Sequence, residues 1–208
     1  MIPPRHEVPA TAWLGAARGP VAAAFGPGPW EAFGKELARL SHRLLLAASA
    51  AALGAAMDAE GIPDEVAVVG QGAGAREAVA WAAANPHRTR RLILIAPEGI
   101  VHPAAASPPP SLLARVPLLG RWLARGAPAD ARLPPQEALH REIARAGTPV
   151  IAIWAGADAR VPLRAVGELA AWNRQAKHEV IEGAGHDLLA DDPARVAETL
   201  RDVLREDF

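Results

Sequence analysis

Two patterns of apolar residues alternate along the chain, and they predict strands and helices in turn. Short continuous apolar runs are typical of strands covered by helices on both faces, and they occur at Val21–Phe25, 42–48, 65–69, 91–96 and 149–154, with a weaker one at 178–181. Apolar residues at helical spacing predict helices over 30–40, 50–60, 75–84, 163–173 and 193–205. This alternation predicts an α/β fold with a mostly parallel, doubly wound sheet, in which ligands bind at the carboxyl ends of the strands.

Residues 101–146 interrupt the alternation. A proline-rich stretch at 103–110 is followed by two candidate helices at 111–126 and 134–146. We therefore predict a core of residues 1–100 and 147–208 carrying a small helical cap of residues 101–146 on a proline-stiffened connection. The apolar residues of the first cap helix either line a pocket or pack the cap against the core. Packing is the favoured interpretation. Trp122 is the best candidate for a pocket wall. His140, on the second cap helix, could reach down into the pocket, but a surface position is the favoured expectation.

Composition narrows the classes of function. Of 208 residues, 50% are hydrophobic and 22% charged, which is typical of a folded domain, and the net charge of -1 does not favour nucleic acid or an anionic membrane as partner. The chain has no cysteine, so disulfides, thiolate metal sites and cysteine nucleophiles are excluded. Histidines are scattered without ligand spacing, so neither a metal nor another cofactor is expected. The beginning does not resemble a signal peptide, which favours a cytoplasmic protein. Nothing in the sequence indicates an oligomeric state.

Three segments carry candidate chemistry, each directly after a predicted strand. Residues 70–74, Gly-Gln-Gly-Ala-Gly, lie between strand and helix, which is the context of a G-x-S-x-G nucleophile elbow. Asp158 follows the strand 149–154, and His186 follows the next strand. In this order the segments resemble the α/β-hydrolase superfamily, which includes esterases, thioesterases, C–C-bond hydrolases and dehalogenases. The resemblance covers most of the chain from Val21 onward and implies that Asp158 is the triad acid and His186 the triad base.

Each of these two residues also has a purely structural interpretation. Asp158 could cap the helix that begins near Pro162, with Arg160 neutralising its charge. His186 could be a hydrogen-bonding residue at a strand end. Pairing of the two is expected, and use of the pair in catalysis is the less favoured outcome.

The position of the nucleophile is occupied by Gly72. No serine, threonine, aspartate or cysteine lies within residues 70–74. Acyl-enzyme chemistry needs an oxygen or sulfur that a base can deprotonate, so the chain as written cannot hydrolyse an ester covalently through this elbow. The elbow conformation costs a residue with a Cβ of order 1–3 kcal/mol, whereas glycine adopts it readily.

The resemblance also implies an oxyanion hole formed by two backbone N–H donors. One donor, the N–H of Ala73, follows the nucleophile position. The resemblance places the second in residues 24–28, at Pro27, which has no N–H, or at Gly26, and the sequence leaves both alignments open. Phe25 and Gln71 are pocket candidates, although Gln71 is expected to hydrogen-bond a neighbouring loop. The fold is predicted to be shortened at its N-terminus, which has little room for a leading hairpin.

Three hypotheses follow. The favoured one is an α/β-hydrolase-fold protein with a degenerate triad that binds a small apolar or acyl-type molecule under the cap, or serves as a scaffold. The second is a non-covalent hydrolase or lyase in which His186, oriented by Asp158, is the general base and the Ala73 N–H stabilises an oxyanion. The third is a serine hydrolase whose nucleophile was engineered to glycine. Dependence of any activity on His186 separates the first two.

Overall fold

A computed structural model describes residues 11–18, 20–26, 28–62, 65–100 and 135–205. Within these ranges one sheet contains seven strands: β1 Thr11–Gly15, β2 Val21–Phe25, β3 Arg43–Ala47, β4 Val66–Gln71, β5 Thr89–Ile95, β6 Val150–Ala155 and β7 Lys177–Ile181. The helices are α1 Trp30–Arg39, α2 Ala50–Glu60, α3 Ala75–Ala84, α4 Pro135–Ala146, α5 Arg164–Trp172, α6 Leu188–Asp191 and α7 Pro193–Arg205. Single 3-10 turns lie at Gly72–Gly74 and Pro86–Arg88.

The sheet confirms the predicted architecture. Its strand order is β1-β3-β2-β4-β5-β6-β7, and every neighbouring pair is parallel except β1 with β3. Alternate residues of the strands belong to two buried clusters: Ala23 and Phe25 of β2 to one, Ala22 and Ala24 to the other. Because both sheet faces are covered in this way, the central strands have no polar face, which explains their continuous apolar sequence.

The N-terminus contributes one strand more than the sequence analysis predicted. β1 lies at the sheet edge and pairs antiparallel with β3, so that Thr11 faces Ala47 and Gly15 faces Arg43. The guanidinium of Arg43 lies 3.9 Å from the centroid of the Trp13 ring, which packs half-buried against the core. The apolar pattern does not predict β1, because its residues are half-buried on both faces and show neither an alternating nor a fully apolar sequence.

The second predicted cap helix, α4, packs against the core. Leu139 and Ile143 of α4 are buried in the same cluster as Trp81 of α3. His140 is also buried, which corrects the expectation of a surface position: its Nε2 lies 3.0 Å from the carbonyl oxygen of Ile100, and its ring stacks on Trp172. The remainder of the predicted cap, residues 101–134, lies outside the described residues, so this part of the cap stays a prediction.

We expect a histidine in β7, the strand at one edge of the sheet, to make the free energy of unfolding depend on pH. His178 of β7 accepts a hydrogen bond at Nδ1 from Trp154 Nε1, at 3.1 Å. Burial lowers the pKa of His178 below its ordinary value of 6.5. The unfolded chain therefore binds this proton more readily than the folded chain, and protonation also removes the acceptor that Trp154 uses. The stabilising contribution of neutral His178 is present above pH 6.5 and is lost as the pH falls through and below that value.

We expect the free energy of unfolding to fall less between pH 7.5 and pH 5 in His178→Gln than in the unaltered chain, since glutamine does not titrate in this range. Urea unfolding followed by tryptophan fluorescence measures the difference. The exposed His87 supplies the control, because His87→Gln makes the same exchange of side chains at an exposed position. Equal pH dependence in all three chains would contradict the assignment.

Candidate active site

The turn after β4 has the geometry of an elbow. β4 ends at Gln71, residues Gly72–Gly74 form a single 3-10 turn, and α3 begins at Ala75. Gly72 has φ +51°, in the left-handed region that favours glycine. A Cβ added at Gly72 would lie 3.7 Å from His186 Nε2 and 3.8 Å from Glu98 Oε1, which are ordinary van der Waals contacts. Space for a small side chain therefore remains, and the backbone conformation is what disfavours one.

The flanking glycines of the turn are required for a different reason. A Cβ at Gly74 would lie 2.3 Å from the carbonyl oxygen of Phe25 and 2.5 Å from the Cα of Gly26. A Cβ at Gly70 would lie 2.6 Å from the Cα of Ala75. Both contacts are with backbone atoms that cannot rotate away. The absence of side chains at 70 and 74 thus lets α3 and the end of β2 approach the elbow.

Asp158 and His186 are brought together by the loops that follow β6 and β7. His186 Nδ1 lies 2.7 Å from Asp158 Oδ2. The other carboxylate oxygen of Asp158 accepts from the backbone N–H groups of Arg160, at 2.7 Å, and Val161, at 2.9 Å. The Asp158 side chain is 1% exposed and that of His186 is 16% exposed. One oxygen of the acid therefore organises its own loop, and the other fixes the imidazole. The predicted helix cap is not formed, because α5 begins at Arg164 and has Leu163, without a side-chain capping bond, as its N-cap.

Glu98 belongs to this group of side chains, although the sequence analysis did not select it. Its Oε1 lies 3.2 Å from His186 Nε2 and 2.5 Å from Arg160 Nη2. Its backbone N–H donates to the carbonyl oxygen of Gly72, at 3.1 Å. Arg160, expected to neutralise Asp158, therefore directs its guanidinium to Glu98. A signal was available: Glu98 is a charged residue three positions after β5, at the sheet edge where α/β proteins bind ligands.

A strained residue directs the chain toward Glu98. Ala96, the first residue after β5, has φ +41°, which a residue with a Cβ rarely adopts. Its N–H donates to the carbonyl oxygen of Ile153, at 2.9 Å, which holds it against β6. Such backbone strain is concentrated at functional sites and persists where surrounding contacts impose it.

The two segments expected to supply oxyanion donors border one cavity. Gly26, whose φ is +107°, and Ala73 both line a cavity of about 960 Å³. Leu14, Trp30 and Leu46 contribute apolar surface to the same cavity. Pro27, the alternative donor position, lies outside the described residues, so the choice between the two alignments stays open.

Two of the three pocket candidates, Phe25 and Gln71, lie within the described residues. Phe25 is completely buried in the core cluster that also contains Trp154, and it does not line the cavity bordered by Ala73. Gln71 is buried against Gly28, and its Nε2 lies 3.5 Å from Asp187 Oδ1 in the His186 loop. Trp122 lies outside the described residues.

The described ranges show neither a metal-binding cluster nor a membrane-spanning helix. They contain no group of three or more His, Cys, Asp or Glu side chains suited to hold a metal ion. None of the helices there is long and apolar enough to cross a bilayer.

Solved structures resemble this chain over almost its whole length. A hydrolase described as putative, from Bacillus subtilis, has a TM-score of 0.66 at 13% identity, covering 94% of this chain and 87% of that one. The thioesterase domain of the curacin biosynthetic pathway has a TM-score of 0.63 at 15% identity, with 91% and 93% covered. A thermophilic esterase from Thermogutta terrifontis has a TM-score of 0.61 at 19% identity, with 94% and 92% covered. No protein-family model and no curated protein sequence matches the chain.

These similarities, together with the strand order and the elbow, show that the protein has the α/β-hydrolase fold. The identities are too low to transfer an activity.

Substitution by alanine is expected to change the free energy of unfolding in opposite directions at Gly74, in the elbow, and at Gly167, in α5. Gly74→Ala places a Cβ against the backbone of β2, and we expect it to lower the free energy of unfolding by about 2 kcal/mol or more. Gly167→Ala is the matched control: Gly167 is exposed inside α5 with no atom within 4 Å of an added Cβ. This change is expected to raise stability by roughly 0.5–1 kcal/mol. Chemical unfolding of both variants checks the difference, and a neutral Gly74→Ala would contradict the close approach.

Proposed function

We propose that this protein binds a small apolar or acyl-type molecule non-covalently in the cavity beside its elbow. The observation that carries the proposal is the combination of an apolar cavity bordered by Gly26 and Ala73 with a glycine at position 72. A hydrolase site without a nucleophilic atom can still hold a substrate-like molecule, because binding surfaces and oxyanion donors are separate from the attacking group.

The lining of the cavity supports a ligand with one long apolar part. Leu14, Trp30 and Leu46 supply apolar surface, whereas the exposed Glu31, Lys35 and Glu77 lie at its solvent side. A volume of about 960 Å³ is within the range of small-molecule sites. A carbonyl or carboxylate at one end of the ligand is proposed to meet the elbow turn at Ala73.

General-base catalysis by His186 is the second candidate, favoured by the 2.7 Å contact between its Nδ1 and Asp158. It is less well supported because a base needs an available lone pair on Nε2, and Glu98 lies 3.2 Å from that nitrogen. A cytoplasmic location remains part of the proposal.

Filling the cavity provides the test. Ala32 is an exposed residue of α1 that lines the cavity, so Ala32→Trp is expected to obstruct it without disturbing the core. Ala38→Trp is the matched control, an exposed alanine on the same helix that is not part of the lining. We expect the fluorescent fatty acid 11-(dansylamino)undecanoic acid to bind the unaltered chain and Ala38→Trp equally. Binding to Ala32→Trp should weaken at least about tenfold, or 1.4 kcal/mol.

Turnover of 4-nitrophenyl hexanoate is measured on the unaltered chain and on His186→Ala. We expect no burst of nitrophenol from the unaltered chain and the same slow background rate in His186→Ala. Equal probe binding to all three chains would contradict the cavity as the site. Hydrolysis that disappears in His186→Ala would favour the second candidate instead.

A further inference from the structure

We infer that Glu98 takes the place of a nucleophile's hydroxyl as the hydrogen-bonding partner of His186 Nε2, and that it keeps this nitrogen from acting as a base. The inference concerns the imidazole and does not depend on the proposed ligand. It assigns Glu98 as a positioning residue of the Asp158–His186 pair.

The imidazole lies between two carboxylates. Asp158 is 2.7 Å from Nδ1, and Glu98 is 3.2 Å from Nε2. The remaining exposure of the imidazole is small, at 16% of the side chain, whereas Glu98 is 33% exposed. Glu98 therefore lies at the Nε2 edge of the ring, where a substrate or a water would contact this nitrogen.

A count of protons shows what the Nε2 contact requires. A neutral imidazole carries one N–H, and donation to an ionised Asp158 places it on Nδ1. The Nε2 contact is then a hydrogen bond only if Nε2 also carries a proton and donates it, or if Glu98 is protonated and donates to Nε2. In the first case Nε2 has no lone pair, and in the second its lone pair accepts from Glu98 and not from a substrate or a water.

Position 72 and Glu98 compete for the same nitrogen. A Cβ at Gly72 would be nearly equidistant from His186 Nε2, at 3.7 Å, and Glu98 Oε1, at 3.8 Å. A hydroxyl on that Cβ could therefore reach both atoms of the Glu98–His186 contact. A serine introduced at 72 has room to fit, but it meets an imidazole that is already engaged.

Several contacts hold Glu98 in this position. Its carboxylate is paired with the guanidinium of Arg160, and its N–H is bonded to the Gly72 carbonyl. Arg160 also donates its own N–H to Asp158, so one residue connects both carboxylates that flank His186. The strained turn at Ala96 sets the direction of the segment.

The availability of Nε2 can be measured directly with diethyl pyrocarbonate, which acylates an imidazole nitrogen that has a free lone pair. We expect His186 to be modified at least about tenfold faster in Glu98→Ala than in the unaltered chain, as followed by peptide mass spectrometry. The exposed His87 serves as the internal reference, since its rate should not change. Glu182→Ala is the matched control: it removes an exposed carboxylate from the loop before His186 without altering a described contact to the imidazole.

Equal rates for His186 in Glu98→Ala and the unaltered chain would overturn the inference. So would the same acceleration in Glu182→Ala, because the cause would then be the lost charge and not the contact. Faster modification of both His87 and His186 would indicate partial unfolding of the variant and would also count against the inference.

A double-mutant cycle gives an independent readout, since a merely structural role for Glu98 does not predict its sign. We expect Gly72→Ser to increase 4-nitrophenyl acetate turnover at least about tenfold more in the Glu98→Ala background than alone, a coupling of roughly 1.4 kcal/mol. The gain should appear in kcat and vanish when His186→Ala is added. Additive effects of the two changes would overturn the inference, whatever ligand the cavity binds.

Discussion

The backbone at Gly74 approaches the end of β2 so closely that no side chain fits between them. An added Cβ would lie 2.3 Å from the Phe25 oxygen, which neither segment could relieve without moving a strand or a helix. This contact places Gly26 and Ala73 along one cavity and fixes the start of α3 beneath the elbow. The remaining site is then assembled by the loops after β5, β6 and β7, which follow neighbouring parallel strands and so meet at the same edge of the sheet.

Two different constraints explain the three glycines of the elbow: close packing at two of them and backbone conformation at the third. Gly70 and Gly74 are fixed by packing, whereas Gly72 is free of steric conflict and is favoured by its positive φ alone. A side chain at 72 would therefore strain the backbone without causing a steric clash. The charged groups around it contact one another in a row, Asp158 to His186 to Glu98 to Arg160. Each of these side chains has a polar partner within the row.

The sequence predicted most of the fold because buried parallel strands are continuous apolar runs, and the helices between them have clear apolar spacing. It missed β1, whose partner β3 is distant in the chain and whose residues are only half-buried. It misplaced His140, because helical spacing shows that one face is apolar without showing which partner covers it. Asp158 and His186 could be found from loops of recognisable composition. Glu98 could not be placed against His186 from any motif, because its position depends on the turn at Ala96 and on the side chain of Arg160.

Gly72 also determines how a protein of this shape can be detected. Reagents such as fluorophosphonates identify serine hydrolases by bonding covalently to the elbow hydroxyl, and at residue 72 there is no side-chain atom for them to attack. Surveys that recognise hydrolases by their reactivity therefore pass over this site, whereas comparison of shapes groups it with esterases and thioesterases. The α/β-hydrolase fold is thus combined here with an elbow residue that offers no atom for that covalent bond.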